Sequence, residues 1–266
     1  MLDFTILNDI RQQNPVVVTF ANFVTPQIVA NAINVIGGSP IMTLELAEAD
    51  DLISLATALT LNLGTSQGAE SDFIELKALG TAAHKYKIPV ILDPVAVNVP
   101  FRSQYVKKLL TNIEIDIIRG NASEIAFFAE INAKSRGIDA VEELDSVSVA
   151  IQAAKKTGKI IALTGRIDVI TDGRTTYVIH NNTQLLATNV GSGDMLSSLI
   201  GTFLLPGVPR LQAVATAVLA MGVAGELAAQ KTPNQPGSFS NVLLDELYQL
   251  TPTKLTEYGK WDLVNA

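Results

Sequence analysis

Short β-branched and aliphatic runs alternate along this chain with longer stretches whose apolar residues recur at helical spacing. Five runs predict strands, at residues 15–20, 59–64, 88–94, 115–119 and 159–164. Each run is apolar along nearly its whole length, which is typical of strands covered on both faces, and a helical stretch separates it from the next. The pattern therefore predicts a parallel sheet with helices on both sides.

The later part of the chain changes the predicted edge of the sheet and adds helices. Asp172-Gly173 is a two-residue hairpin signal between two apolar runs in 167–179, so we expect antiparallel strands at that edge. Helical spacing covers 24–36, 69–86, 103–110, 121–131, 147–156, 195–204, 211–230 and 239–250. Because no Pro/Ser-rich linker, repeat or low-complexity tract interrupts the chain, we predict one α/β domain over residues 1–266.

Composition excludes several functional classes. The 266 residues include no cysteine, which rules out a disulfide-stapled scaffold, a thiolate metal site and a cysteine nucleophile. The 19 basic and 26 acidic residues give a formal charge of −7, which argues against nonspecific binding to nucleic acid or to an anionic membrane. With 48% hydrophobic and 17% charged residues, the expected class is a globular protein of the cytoplasm.

Two stretches are almost free of charge, but neither predicts a membrane span. Residues 12–44 carry no ionisable side chain, and asparagines and prolines interrupt them. Residues 195–225 carry only Arg210, and 206–209 divides them into two runs, each shorter than the roughly 20 apolar residues that a span needs. The first residues lack the basic region and apolar run of a signal peptide. Such apolar helices are buried in a core or against another subunit, so we expect an oligomer.

Polar residues and glycines follow strand after strand at the same predicted edge. They are Asn22, Gly64-Thr65, Asp93-Pro94, Arg119-Gly120-Asn121 and Thr164-Gly165. Each one alone is also a favoured turn residue. Their recurrence matters because ligands of open parallel sheets bind beyond the carboxyl ends of the strands. We therefore predict a ligand site at this edge.

The sharpest motif is Gly191-Ser192-Gly193-Asp194, directly before a run of helical spacing. Glycines of positive φ ahead of a helix point backbone N–H groups at one spot, which predicts an anion hole suited to phosphate. Asp194 at that hole is suited to accept a proton from a substrate alcohol, although aspartate is also a leading helix cap. Walker A and complete dinucleotide-binding motifs are absent from the sequence.

Three further residues at this edge each allow two interpretations. Asn121 with Glu124 three positions later is a capping-box pattern, while Glu124 is also suited to reach Mg²⁺ through water. Arg119 is suited to phosphate oxygens. Asp93 ends a buried strand and there needs a metal or cationic partner, unless it is a turn residue before Pro94. His84 and His180 receive no functional assignment.

In order and spacing, these pieces resemble the hydroxyethylthiazole kinase family of the ribokinase-like superfamily over about residues 14–239. The segments are ANFVT (21–25), GSPIM (38–42), LGT (63–65), ILDPV (91–95), IRGNASE (118–124), LTG (163–165), GSGD (191–194) and PGSF (236–239). The resemblance implies a three-layer α/β sandwich. It also implies ATP- and Mg²⁺-dependent phosphorylation of 4-methyl-5-(2-hydroxyethyl)thiazole in thiamine salvage.

The resemblance also implies residue roles and an assembly. Met42 and Gly191 would touch the thiazole alcohol with Asn22 nearby, and Arg119 and Thr164 would bind ATP. Asp93 and Glu124 would organise Mg²⁺. Asp194 would be the catalytic base, beside backbone amides of Gly191 and Gly193 that stabilise developing charge. Family members are trimers with the thiazole site between subunits, so a homotrimer is expected.

The chain departs from the family pattern in ways that keep alternatives open. The family usually has cysteine where Asp194 stands, whereas aspartate is usual in the wider superfamily. Residues 96–100 replace a glycine-rich turn, Pro26-Gln27 replaces Val-Asn, and a histidine often found before Asn22 is absent. The alternatives are a hydroxymethylpyrimidine- or pyridoxal-type kinase, an ATP-dependent dehydratase of hydrated nicotinamide nucleotides, and an inactive binding protein.

Overall fold

The computed structural model describes residues 2–43, 45–65, 70–131 and 145–265, and nine strands in them form one sheet. The strand order across the sheet is β2-β1-β3-β4-β5-β6-β7-β8-β9. The strands are β1 Val16–Phe20, β2 Ser39–Met42, β3 Ala58–Asn62, β4 Val90–Asp93, β5 Ile117–Asn121, β6 Ile160–Thr164, β7 Asp168–Thr171, β8 Thr175–Ile179 and β9 Trp261–Asn265.

Pairing is parallel from β2 through β6 and antiparallel from β6 through β9. The five predicted parallel strands and the hairpin are confirmed. Two strands were not predicted, β2 and β9. In β2 a proline lies within four half-buried residues, a composition that is tolerated because β2 is an edge strand.

Twelve α-helices of the described residues surround the sheet. They are α1 Ile6–Gln13, α2 Pro26–Ile36, α3 Ala49–Leu55, α4 Glu70–Tyr86, α5 Pro100–Leu110, α6 Ala122–Phe128, α7 Ser146–Thr157, α8 Gln184–Thr188, α9 Ser192–Phe203, α10 Arg210–Lys231, α11 Pro236–Tyr248 and α12 Pro252–Tyr258. Each predicted helix has a counterpart, although the predicted start of α4 at residue 69 lies outside the described residues. The helices α1, α3, α8 and α12 were not predicted; two of them have only seven residues and one has five.

Alternate residues of the apolar strands face two separate cores. Val17 of β1 and Ile117 of β5 pack with α1, α2 and α9–α12, whereas their neighbours Val18 and Ile118 pack with α3–α7. Successive side chains of a strand point to opposite faces, so a continuously apolar strand joins both cores. The predicted three-layer arrangement is confirmed.

The helix α10 is longer than the sequence pattern predicted. It has 22 residues and is long and apolar enough to cross a membrane, so the expectation that both runs beside 206–209 are too short is wrong for this one. Its most apolar 18-residue window is 78% buried inside the protein. Protein covers most sides of this helix, which fits the burial that its apolar composition predicted.

The helix α9 lies close against β1 and β3, and one glycine permits the approach. A Cβ atom added to Gly201 would lie 2.9 Å from Cγ1 of Val17 and 3.2 Å from Cβ of Ala58. The last turn of α9 is therefore held close above β1 and β3.

We expect Gly201→Ala to lower the melting temperature, because overpacking costs about 1–3 kcal/mol while the gain in helix propensity recovers about 0.5–1 kcal/mol. Thermal unfolding followed by circular dichroism measures the change. Gly237→Ala is the matched control, since an added Cβ there meets nothing within 4 Å. Equal melting temperatures for the two variants would contradict the close packing of α9.

Candidate active site

The first turn of α9 lies at the carboxyl edge of the sheet. Gly191 is its N-cap, with φ 97°, a left-handed backbone that glycine adopts without strain. A Cβ atom at Gly191 would lie 2.7 Å from Cγ2 of Thr25. The N–H groups of a first helical turn have no intrahelical partner. The predicted anion-binding arrangement therefore has the required backbone, with one glycine of positive φ.

Asp194 follows in the same turn, and its carboxylate is held by three side chains from other elements. Oδ2 accepts hydrogen bonds from Nδ2 of Asn22 at 2.7 Å and from Oγ1 of Thr25 at 2.6 Å. Oδ1 accepts one from Nδ2 of Asn62 at 2.9 Å. Gly191, and not Asp194, is the N-cap of α9, so Asp194 is not the residue that caps this helix.

The loop after β1 brings Asn22 to this carboxylate. Its Oδ1 accepts the N–H of Val24 at 2.8 Å, which fixes the amide and directs Nδ2 towards Asp194. Gly64, after β3, makes room: a Cβ atom there would lie 2.9 Å from Oδ1 of Asn62 and 3.1 Å from Cβ of Asn22. The two asparagines can therefore approach the same aspartate.

Asp93, the last residue of β4, is a second carboxylate at this edge, and it is 1% exposed. Its Oδ2 accepts hydrogen bonds from Oγ of Ser197 at 2.7 Å and from Nδ2 of Asn62 at 3.3 Å, and it pairs with Nη1 of Arg119 at 3.3 Å. Burial raises the pKa of Asp93 to about 6, and Arg119 and Ser197 oppose that rise. Asp93 therefore has the cationic partner that its position requires.

Arg119 lies inside β5 rather than beyond its end, and its guanidinium lies over the start of α9. Nη2 donates to Oγ1 of Thr164 at 2.7 Å, while a Cβ atom added to Gly193 would lie 2.4 Å from Nη1. Gly193 thus makes space for the guanidinium. Positive φ was predicted for both glycines of this turn, but only Gly191 has it. A cation beside the positive end of a helix favours a bound anion between them.

Glu124 forms the capping box that its spacing predicted. Asn121 accepts the N–H of Glu124, and Oε2 of Glu124 accepts the N–H of Asn121, both at 2.9 Å. Oε1 accepts the N–H of Ala96 at 2.8 Å. Ala96 has φ 58° in the segment that replaces the family's glycine-rich turn, and this bond helps hold the left-handed backbone.

The structure links five of the nine predicted site residues in one side-chain network: Asn22, Asp93, Arg119, Thr164 and Asp194. Met42 ends the edge strand β2 opposite Thr19 of β1, half-buried and outside these hydrogen bonds. Within the described ranges, no group of three His, Asp or Glu side chains is placed to hold a metal ion.

Sequence reasoning missed three residues of this network, Thr25, Asn62 and Ser197. Asn62 was counted inside a strand, although an asparagine in an otherwise apolar strand is itself a signal. Ser197 lies three positions after Asp194, on the same face of α9. Arg102 was also missed. It donates to the carbonyl oxygens of residues 63, 64 and 95 and so fastens the loops after β3 and β4.

Comparison with known proteins adds sequence relatives to this geometry. A model of the hydroxyethylthiazole kinase family matches residues 7–253. Hydroxyethylthiazole kinase 1 of Leuconostoc mesenteroides is 47% identical over 260 residues, which is 97% of this chain and 98% of that protein. Hydroxyethylthiazole kinase of Lactococcus lactis subsp. lactis is 43% identical over 250 residues, covering 93% of this chain and 98% of the relative.

Solved structures agree with the fold. A hydroxyethylthiazole kinase protein from Pyrococcus horikoshii superposes with a TM-score of 0.87 at 28% identity, covering 98% of each chain. A ribokinase-like superfamily protein from Enterococcus faecalis has a TM-score of 0.64 at 15% identity and covers 94% of this chain and 96% of its own. The second likeness concerns the fold alone.

The raised pKa of Asp93 predicts a pH-dependent effect of Asp93→Asn on stability without metal or nucleotide. A carboxyl group whose pKa is higher folded than unfolded loses its stabilising contribution as the pH rises, here between about 4 and about 6. The melting temperature of Asp93→Asn minus that of the unchanged protein should therefore increase across that window and stay constant above about pH 7. Melting curves in chelator-containing buffers measure it; a difference independent of pH would contradict the buried, titrating carboxyl.

Proposed function

This chain belongs to the hydroxyethylthiazole kinase family, and we propose that it transfers the γ-phosphoryl group of ATP to the primary alcohol of 4-methyl-5-(2-hydroxyethyl)thiazole in thiamine salvage. One observation carries this proposal beyond family membership. The Asp194 carboxylate, the first turn of α9 and the Arg119 guanidinium converge at the carboxyl edge of the sheet. A base beside an anion-binding site is what phosphoryl transfer to an alcohol requires.

The hydrogen bonds of Asp194 favour Oδ1 as the atom that takes the proton in this proposal. A carboxylate oxygen accepts about two hydrogen bonds, and Oδ2 already has two donors, Asn22 and Thr25. Oδ1 has one described donor, Asn62, and retains an acceptor position. The alcohol oxygen attacks the γ-phosphorus as its proton passes to Oδ1. The bond from that phosphorus to the β–γ bridging oxygen breaks, and its electron pair leaves with ADP.

The anion hole acts on the charge of the transferring group. Backbone N–H groups of Gly193 and Asp194 belong to the first turn of α9, and Arg119 reaches the same place from β5. Thr164 holds the guanidinium there by accepting from Nη2. Fixed donors stabilise charge on the phosphoryl oxygens without rearranging during the reaction.

The residues fit a magnesium ion held mainly by the nucleotide. Glu124 already accepts two backbone N–H groups, and three donors converge on Oδ2 of Asp93. Neither carboxylate therefore has all of its acceptor positions available to bind a metal ion directly. Mg²⁺ commonly keeps several waters and binds proteins through one or two carboxylates plus phosphates. Asp93 and Glu124 would hold that hydrated ion. It would neutralise the polyphosphate, which Arg119 alone does not balance.

Apolar side chains are exposed next to the proposed substrate site. Phe23 and Val24, next to Asn22, are 63% and 69% exposed, and Val190, next to Gly191, is 79% exposed. Apolar side chains exposed together beside a polar site mark an interaction surface. We infer a homotrimer in which a neighbouring subunit covers this surface and the thiazole alcohol binds near Asn22, Gly191 and Met42.

A coupled assay of ADP release tests the function directly. We expect ADP release with ATP, Mg²⁺ and the thiazole alcohol, and much less with hydroxymethylpyrimidine or pyridoxal. A hydrated nicotinamide nucleotide in the same panel tests the dehydratase alternative. No ADP release with any of the compounds would favour an inactive binding protein. Preference for any other compound would overturn the thiazole assignment while leaving the fold unaffected.

Asp194→Asn should lower kcat by about two orders of magnitude or more, because general-base catalysis contributes about 10²–10⁴-fold. Steady-state kinetics at saturating ATP and alcohol measures the loss. The amide keeps the size of the side chain, so the KM values should change much less. Near-full activity of the variant would exclude Asp194 as the base.

Gly193→Ala should weaken ATP use, because the new methyl group would occupy the place of Nη1 of Arg119. We expect kcat/KM for ATP to fall by roughly 10-fold or more, the size expected when a charged hydrogen bond is lost. Arg119→Ala should give a similar loss, and the double variant little more. Unchanged kcat/KM in Gly193→Ala would contradict the close contact.

A further inference from the structure

Asn62 joins the two carboxylates of the site. It is the last residue of β3 and only 3% exposed, between the strand that carries Asp93 and the strand that leads to Asn22. Its Nδ2 lies 2.9 Å from Oδ1 of Asp194 and 3.3 Å from Oδ2 of Asp93. One amide nitrogen therefore touches both acidic groups at once.

The neighbours of Asn62 permit only one orientation of its amide. Both carboxylates, when ionised, accept hydrogen bonds and cannot donate them, so the NH₂ group must face them. The oxygen then faces two donors, the N–H of Gly64 at 2.8 Å and Nδ2 of Asn22 at 3.2 Å. Each of the two amide hydrogens has its own carboxylate, and the oxygen has both of its acceptor positions filled.

We infer that Asn62 is a positioning residue for phosphoryl transfer, which fixes Oδ1 of Asp194 by donating one amide hydrogen to it and the other to Asp93. This inference rests on the proposed function. Asn62 acts through Asp194 and not directly on the alcohol or the phosphoryl group. It holds Asp194 against rotation on the Oδ1 side, as Asn22 and Thr25 do on the Oδ2 side. It also keeps two carboxylates at a fixed separation through one donor group.

A positioning role and a merely structural role predict different kinetics. Loss of a positioned base lowers the rate of the bound complex, so kcat falls while the KM values change little. The effect must also disappear once Asp194 is no longer the base. A structural defect lowers stability in every background and does not depend on the residue at position 194.

The test is a double-mutant cycle with Asn62→Ala and Asp194→Asn in the full-length chain. We expect Asn62→Ala to lower kcat by roughly 10- to 100-fold in the unchanged protein, with KM values within about 3-fold. In the Asp194→Asn background the same change should lower the residual kcat by less than about 3-fold. Equal losses in both backgrounds, or a loss confined to KM, would overturn the inference.

Thr60→Val is the matched control, because Thr60 is fully buried on the same strand and the same face, two residues before Asn62. Its hydroxyl makes one weak contact, 3.5 Å from the carbonyl oxygen of Ser197, so kcat should stay within about 2-fold. If Asn62→Ala does not fold, Asn62→Ser is carried through the same cycle.

The same four proteins give a cycle in thermal unfolding that needs no activity. Coupling between Asn62 and Asp194 should appear there as non-additive changes in melting temperature, and additive changes would overturn the inference. No ADP release by the unchanged protein with the thiazole alcohol would overturn the proposed function instead. The two failures are therefore distinguishable, since the unfolding cycle reads the contact and the substrate panel reads the reaction.

Discussion

Two carboxylates at one edge of the sheet, Asp93 fully buried and Asp194 partly buried, set the constraint on which the rest of this site depends. An ionised group in a protein interior is costly unless hydrogen-bond donors or an opposite charge surround it. Here one guanidinium and four neutral side chains supply those donors, and Asn62 serves both carboxylates. The same donors that make burial tolerable also fix the direction of each carboxylate, so stability and function share one network.

The helix α9 connects this network to the fold. Its last turn lies against the sheet at Gly201, its first turn carries Asp194, and the next turn carries Ser197, which donates to Asp93. Because the contacts lie on one helix, its height above the sheet determines whether the proposed base, the proposed anion hole and the second carboxylate lie together. Sites built on packed helices and strands are held more accurately than sites on loops.

The absence of cysteine acquires a structural meaning at Asp194. Hydroxyethylthiazole kinases usually have a cysteine at this position, and a thiol is only a weak hydrogen-bond donor and a weak acceptor. Three strong donors surround it here, from Asn22, Thr25 and Asn62, and they suit an ionised carboxylate better than a thiol. A departure from the family pattern is therefore matched by its surroundings, which supports a working base over an inactive site.

The sequence by itself determined the parallel sheet, the hairpin edge, the glycine turn before α9 and the family, because hydrophobic periodicity and short motifs are local signals. It also placed Asp93, Arg119, Thr164 and Asp194 at one edge. Only the tertiary structure decided that Glu124 also accepts the N–H of Ala96, that Gly193 makes room for Arg119, and that Asn62 joins two carboxylates. Asn62 lies 40 positions after Asn22 and 132 positions before Asp194 in the sequence. No local pattern specifies contacts between residues so far apart along the chain.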